Sequence, residues 1–165
     1  MADDPQRMTG PRPVAGVQPV VDAVLREAPL AAMDPTTLYA LLRLRVDVFV
    51  VEQECAYPEL DGRDLEPDAL QLWAEAGGSV AAAARLLRDA DGRARIGRVV
   101  VAPGARGAGL AGRLLRRALE LAGDVDVVLD AQSHLEPFYA GHGFVVDGPE
   151  FVEDGIPHLP MLRRA

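Results

Sequence analysis

The apolar positions change their spacing several times along this chain, and each change marks an element. Val20 to Arg26 is apolar and β-branched, which predicts a first strand. Asp34-Pro35 supplies a helix cap followed by proline at the first helical position. Leu38, Leu41, Leu42, Arg45 and Phe49 then recur at helical spacing, one buried face of a helix ending near Val51. Ala69 to Glu75 and Val80 to Leu87 read as strands joined by Gly77-Gly78, a hairpin signal. A turn over Arg88 to Arg93 leads into the strand Ile96 to Val101, and Leu110, Leu114, Ala118 and Leu121 mark a second helix that starts near Gly109 and closes at Gly123. Val125 to Asp130 is a buried strand by its branching. Ser133 can cap a short helix from about His134 to His142, and strands are expected from Gly143 to Val146 and, after the Asp154–Pro157 turn, from His158 to Arg164. The order is β-α-β-β-β-α-β-α-β-β, an α/β architecture with a mixed central sheet flanked by helices. Residues 1–19, rich in Pro, Gly and polar residues, read as a disordered tail, and residues 20–165 as a single domain.

Composition narrows the function. With 165 residues, 49% of them hydrophobic but only 5% aromatic, the core must be filled by Leu, Val and Ala. A net charge of −8 argues against nucleic acid as the main partner. The lone Cys55 excludes an intramolecular disulfide and a cysteine-cluster metal site. Neither an apolar run of about eighteen residues nor a signal-peptide pattern is present, so a cytoplasmic protein without a membrane partner is expected.

The charges are segregated. Residues 92–119 hold seven of the seventeen arginines, at positions 93, 95, 98, 106, 113, 116 and 117, and no acid, a span that by charge alone wants an anion. From Asp47 to Asp68 the balance reverses, with eight acids against Arg63. That stretch is either a solvated loop or a mouth attracting a cationic substrate.

A strand, a glycine-rich loop and a helix start are how a chain aims backbone N–H groups at a phosphate. Gly107-Ala-Gly109-Leu-Ala-Gly112 satisfies the dinucleotide fingerprint, and Asp130 lies about twenty residues on. Residues 102–106 nevertheless intervene between strand and first glycine, and too little chain follows for a doubly wound sheet. A Walker loop fails because no Gly-Lys-Ser/Thr is present. The letters fit another pattern better: Arg106-x-x-Gly109-x-Ala111 resembles the acyl-CoA signature of the GNAT superfamily of N-acetyltransferases. The stretch Leu38 to Gln53, Tyr57-Pro58, Asp61-Gly62, Gly97-Arg98-Val99, Ala131 to Leu135, Phe138-Tyr139 and Glu153 to His158 resemble its ElaA-type branch, over roughly residues 20–164.

The resemblance implies the GNAT fold and transfer of an acetyl group from acetyl-CoA to a primary amine by direct attack. The acceptor would be a small-molecule amine or a protein amino group, cationic if the acidic stretch forms the mouth. It also implies roles. Backbone groups of Val99, Val100 and Val101 would bind the pantetheine arm and polarise the thioester carbonyl. Arg106, Gly107, Ala108, Gly109, Leu110 and Ala111 would form the pyrophosphate loop, and Arg113, Arg116 or Arg117 would reach the 3′-phosphate. Tyr139 would protonate the departing thiolate, since a phenol with a pKa of about 10 keeps its proton at neutral pH. Many relatives carry an acidic base on the central strand, but Ile96 to Val101 contains none. Glu52, Glu54, Asp130, His134 or a water are the candidates for that role. No metal is assigned, because His142 and His158 lack partners at ligand spacing. The alternatives are an acyl-CoA-binding or sensing module with little catalysis and, more remotely, a dinucleotide oxidoreductase. The oligomeric state stays open, a dimer included.

Overall fold

The computed structural model describes residues 22–165. The expected tail at 1–19 lies outside them. Eight strands form one sheet: β1 (Val24–Ala28), β2 (Leu70–Ala76), β3 (Ser79–Arg88), β4 (Ala94–Val101), β5 (Val127–Gln132), β6 (Val145–Val146), β7 (Phe151–Glu153) and β8 (Ile156–Arg163). The spatial order is β1-β2-β3-β4-β5-β8-β6, with β7 also paired to β8. β4 and β5 are parallel and the other pairs antiparallel, which makes the sheet mixed as expected. β7 escaped the sequence reading. It has three residues, all exposed, so its apolar pattern is too short to register.

The helices α1 (Pro35–Val46), α2 (Leu110–Ala122) and α3 (Glu136–Ala140) follow the sequence signals closely. Asp34 caps α1, accepting from the Thr37 N–H at 3.0 Å. The turns continue as a π-type segment from Asp47 to Glu52, which accounts for the long apolar stripe. Ser133 does not cap α3; its hydroxyl donates to Glu150 at 2.7 Å instead, and a tight turn over Ser133–Leu135 precedes the helix.

The strand period of two sorts the core. Leu72, Ala74, Ala82 and Ala84 pack toward Leu110, Leu114, Leu115 and Ala118 of α2. Trp73, Ala83 and Val100 pack with Leu41, Leu44 and Val48 of the first helix and its extension. Helices therefore cover both faces. The run Ala81–Ala84 has helical propensity but forms the centre of β3, buried on both sides. Gly77 and Gly78, both at positive φ, close the turn that commits it to a hairpin.

Candidate active site

The sheet comes apart in its middle. β4 pairs with β5 only at Ala94↔Val127 and Arg95↔Val128, although β4 runs on to Val101 and β5 to Gln132. Beyond Arg95, β4 stays with β3 while β5 stays with β8. A bulge contributes to this parting. Between the pairs Ala83↔Val100 and Arg85↔Gly97, β4 spends one residue more than β3, and Arg98 takes a left-handed φ of 55°. A residue other than glycine is uncommon there, and its environment compensates. The Arg98 guanidinium pairs with Glu59 (2.8 Å) and Asp61 (3.2 Å) and lies over the Tyr57 ring at 5.7 Å.

The gap is a cleft of about 820 Å³ lined by Val99, Val100 and Val101 on one wall and by Leu129, Asp130, Gln132, Tyr139 and His158 on the other. The Ala102 N–H donates to Ala81 on β3 at 2.8 Å, so antiparallel alternation turns the backbone of Val101 and Val99 away from β3, toward the cleft. The Val101 carbonyl is contacted there by Arg106 Nε at 3.3 Å. The Val100 side chain is buried under α1, while Val99 and Val101 pack on the α2 side. Side chains of this strand thus build core, and its backbone faces the opening.

At the end of β4 the loop Arg106–Gly109 leads into α2. Gly107 (φ 80°) and Gly109 (φ 74°) have left-handed backbone that a side chain would strain, with open space beside each. No side chain caps the N-terminus of α2. Its first N–H groups, from Leu110 and Ala111 onward, are left for another acceptor, at the positive end of a thirteen-residue helix. Leu110 contributes only backbone, because its side chain is in the core. The six loop residues named from sequence run from the end of β4 into the first turn of α2, and of them Arg106 lines the cleft beside Val99, Val100 and Val101.

Two tyrosines line the cleft, and only one is at liberty. Tyr57 donates its hydroxyl to Glu59, and burial followed by that bond pushes its pKa up. Tyr139 is buried, held edge-on by Phe138 (5.0 Å) and Phe144 (6.1 Å), and burial pushes its pKa to about 12. Its hydroxyl has no hydrogen-bond partner among the described residues. It is a neutral donor at physiological pH.

The charged stretches are not what either sequence reading made of them. Six of the eight acids in 47–68 are ion-paired: Asp47 with Arg43, Glu52 with Arg106, Glu59 with Arg45 and Arg98, Asp61 with Arg85 and Arg98, Asp64 with Arg45 and Arg85, and Glu66 with Arg63. Arg45, a member of the predicted apolar face of α1, is fully buried because Glu59 (2.5 Å) and Asp64 (2.7 Å) meet it there. The arginines of 92–119 are spent similarly. Arg93, Arg95, Arg98, Arg106 and Arg117 form ion pairs, and Arg113 donates to the Ala23 carbonyl. Of the candidates for the 3′-phosphate, Arg116 alone has no hydrogen-bond or ion-pair partner among the described residues.

The four candidate bases separate as well. Glu52 is held twice by Arg106 (2.8 and 2.9 Å), and Asp130 by Arg95 at 2.9 Å. Glu54 and His134 are exposed and do not line the cleft. Glu153, Asp154 and His158 do line it, and sequence reasoning had given them no part in the chemistry. The Cys55 thiol donates to the Asp154 carbonyl oxygen at 3.3 Å, a structural contact. Among the described residues, no helix is long and apolar enough to cross a membrane.

Comparison with known proteins agrees with this geometry. A family model described as "Acetyltransferase (GNAT) domain" matches residues 43–164. A UPF0039 protein of Mycobacterium bovis is 51% identical over 135 residues, which cover 79% of this chain and 86% of that protein. The crystal structure of an acyl-CoA N-acyltransferase from Pseudomonas aeruginosa matches with a TM-score of 0.82 at 42% identity, covering 86% of this chain and 99% of that one. Escherichia coli ElaA matches with a TM-score of 0.81 at 36% identity and the same coverage.

Proposed function

The chain belongs to the GNAT acetyltransferase family, in its ElaA-type branch, and from that premise we propose that it transfers an acetyl group from acetyl-CoA to a primary amine. Membership makes it an acyl-CoA-dependent N-acyltransferase; the acetyl group, the amine and the residue roles are our reading. The catalytic unit we envisage is residues 20–165, acting as one domain in the cytoplasm. The observation that carries the proposal is the parting of β4 from β5 with Tyr139 on the far wall.

In this reading the pantetheine arm lies along β4 and completes the hydrogen bonds that β5 has abandoned, using the backbone of Val99 to Val101. The pyrophosphate rests on the N–H groups of Arg106, Gly107, Ala108, Gly109, Leu110 and Ala111. The amine nitrogen attacks the thioester carbonyl directly, and an N–H of the valine strand holds the developing oxyanion. Collapse expels the thiolate, which takes its proton from Tyr139. A dry phenol with a raised pKa is suited to that role, because it is always protonated beforehand and gives its proton only to a strong incipient base.

The acceptor is a small amine or a protein amino group, cationic as it approaches. With most of the 47–68 acids paired, the attraction falls to Glu153 and Asp154 on the cleft rim, which have no ion-pair partner among the described residues, reinforced by the net charge of −8. The test is thiol release from acetyl-CoA across a panel of amines. Activity with cationic amines, weakened by salt, supports the reading; Tyr139→Phe should lower kcat by ~10²-fold or more with acetyl-CoA binding retained. Tight acetyl-CoA binding without turnover of any amine would instead favour a sensing module.

A further inference from the structure

His158 has no part in the roles above, yet it occupies a position that asks for one. It stands on β8 opposite Gln132 of β5, on the cleft wall that also carries Tyr139 and Asp130. Its Nδ1 is 2.8 Å from the Ile156 carbonyl oxygen. A carbonyl can only accept, so Nδ1 carries the ring proton and Nε2 keeps a free lone pair. The half-buried ring is stacked on Phe151, centroids 5.7 Å apart and planes 23° from parallel. Tautomer and orientation are thus both fixed, as a general base requires.

The groups facing it come from three directions. β5 presents Gln132 and Asp130, the latter already bound to Arg95. The β7 strand and its turn present Glu153 and Asp154, and α3 presents Tyr139. Among these groups the imidazole offers an unbound nitrogen lone pair in a fixed orientation.

Resting on the acetyltransferase reading above, we propose that His158 is the general base, taking the proton of the acceptor amine at Nε2. Once the approaching ammonium has released a proton to solvent, the nitrogen lone pair forms the C–N bond while the carbonyl π electrons move to oxygen. The nitrogen loses its proton to Nε2, the adduct collapses, the C–S bond breaks, and the thiolate is protonated by the Tyr139 hydroxyl. Solvent returns the proton from the imidazolium to the tyrosinate. One amine and one thioester become one amide and one thiol, with both residues restored.

The experiment is thiol release against pH for the wild type, His158→Gln and His158→Ala, with acetyl-CoA binding measured by calorimetry on each. We expect kcat to fall by ~10²-fold or more in both variants, with acetyl-CoA affinity unchanged. The acidic limb of the kcat/KM profile should vanish, and free imidazole should partly restore His158→Ala. Undiminished kcat with the limb intact overturns the base assignment and leaves the acetyltransferase reading standing. Loss of acetyl-CoA binding in both variants overturns it too, because His158 would then be holding the fold. A wild type that releases no thiol with any amine overturns the acetyltransferase reading itself.

Discussion

The β4–α2 loop presents backbone, and the loop from Tyr57 to Asp64 presents side chains that already have partners. In the β4–α2 loop, two positive-φ glycines and an uncapped helix leave N–H groups without a partner among the described residues. In the loop, Glu59 and Asp64 are buried against Arg45, and Asp61 is gripped by Arg85 at 2.8 Å through both oxygens. The difference lies in who chooses the partner. A backbone donor is aimed by local φ and ψ, so its commitment is settled within a few residues. A charged side chain takes whichever counter-ion the fold brings close. The acidic loop is accordingly a clamp: it ties α1 (Arg45), β3 (Arg85) and the β4 bulge (Arg98) together behind the cleft.

The comparison can be broken most severely at Arg45. Arg45→Ala would take one of two counter-ions from each of two buried carboxylates, leaving Glu59 to Arg98 and Asp64 to Arg85, and we expect a loss of about 3 kcal/mol in urea unfolding. A solvated loop would lose almost nothing. Acid titration of stability comes next. Burial would raise the Asp64 carboxyl, but the Arg45 bonds and the charges of Arg45 and Arg85 outweigh it and hold the group low. The Arg85 bonds likewise hold Asp61 low against burial, and Arg63 and Arg95 overcome burial at Asp89. Folded values below the unfolded ~3.9 mean that this stability is complete above about pH 4 and is lost as pH falls through the folded values. Each carboxylate that must be protonated steepens the fall by up to ~1.4 kcal/mol per pH unit, readable as a drop in Tm between pH 5 and 2, roughly.

At the other end, Gly109→Val should act on the cofactor more than on the core. A β-branched residue is strained at φ 74°, so the loop must shift, and calorimetry should show acetyl-CoA affinity weakened by about tenfold or more. The smallest effect belongs to the contact that joins the two regions. Arg106 and Glu52 are both about half exposed, and such pairs contribute under ~1 kcal/mol. Because a pyrophosphate would compete with Glu52 for Arg106, Glu52→Gln should tighten acetyl-CoA binding by up to roughly fivefold. Weaker binding would show that Glu52 orients Arg106 rather than competing for it.

Much of the fold was legible because it rests on short-range rules. Asp34-Pro35 started α1, Gly77-Gly78 turned a hairpin, and Gly123 ended α2 where expected. The exposed three-residue β7 had no such rule to announce it. The glycines and arginine of the β4–α2 loop were also legible, since their geometry is local. His158 was not: a histidine in a terminal strand acquires meaning only when β8 is laid beside β5, on the cleft wall that also carries Tyr139.

By itself, the sequence determined the order of all elements but β7, the family, and the glycine-rich loop that opens α2. The order and the loop follow from periodicity, capping and glycine placement over a few residues, and the family from the resemblance of its motifs. The tertiary structure alone decided where the charges went and where the sheet opened. Arg45 meets Glu59 and Asp64 across fourteen and nineteen residues, and the parting of β4 from β5 depends on a bulge seated by the same loop. Ion pairing acts through space at a few ångströms, so no pattern along the chain could have assigned those partners.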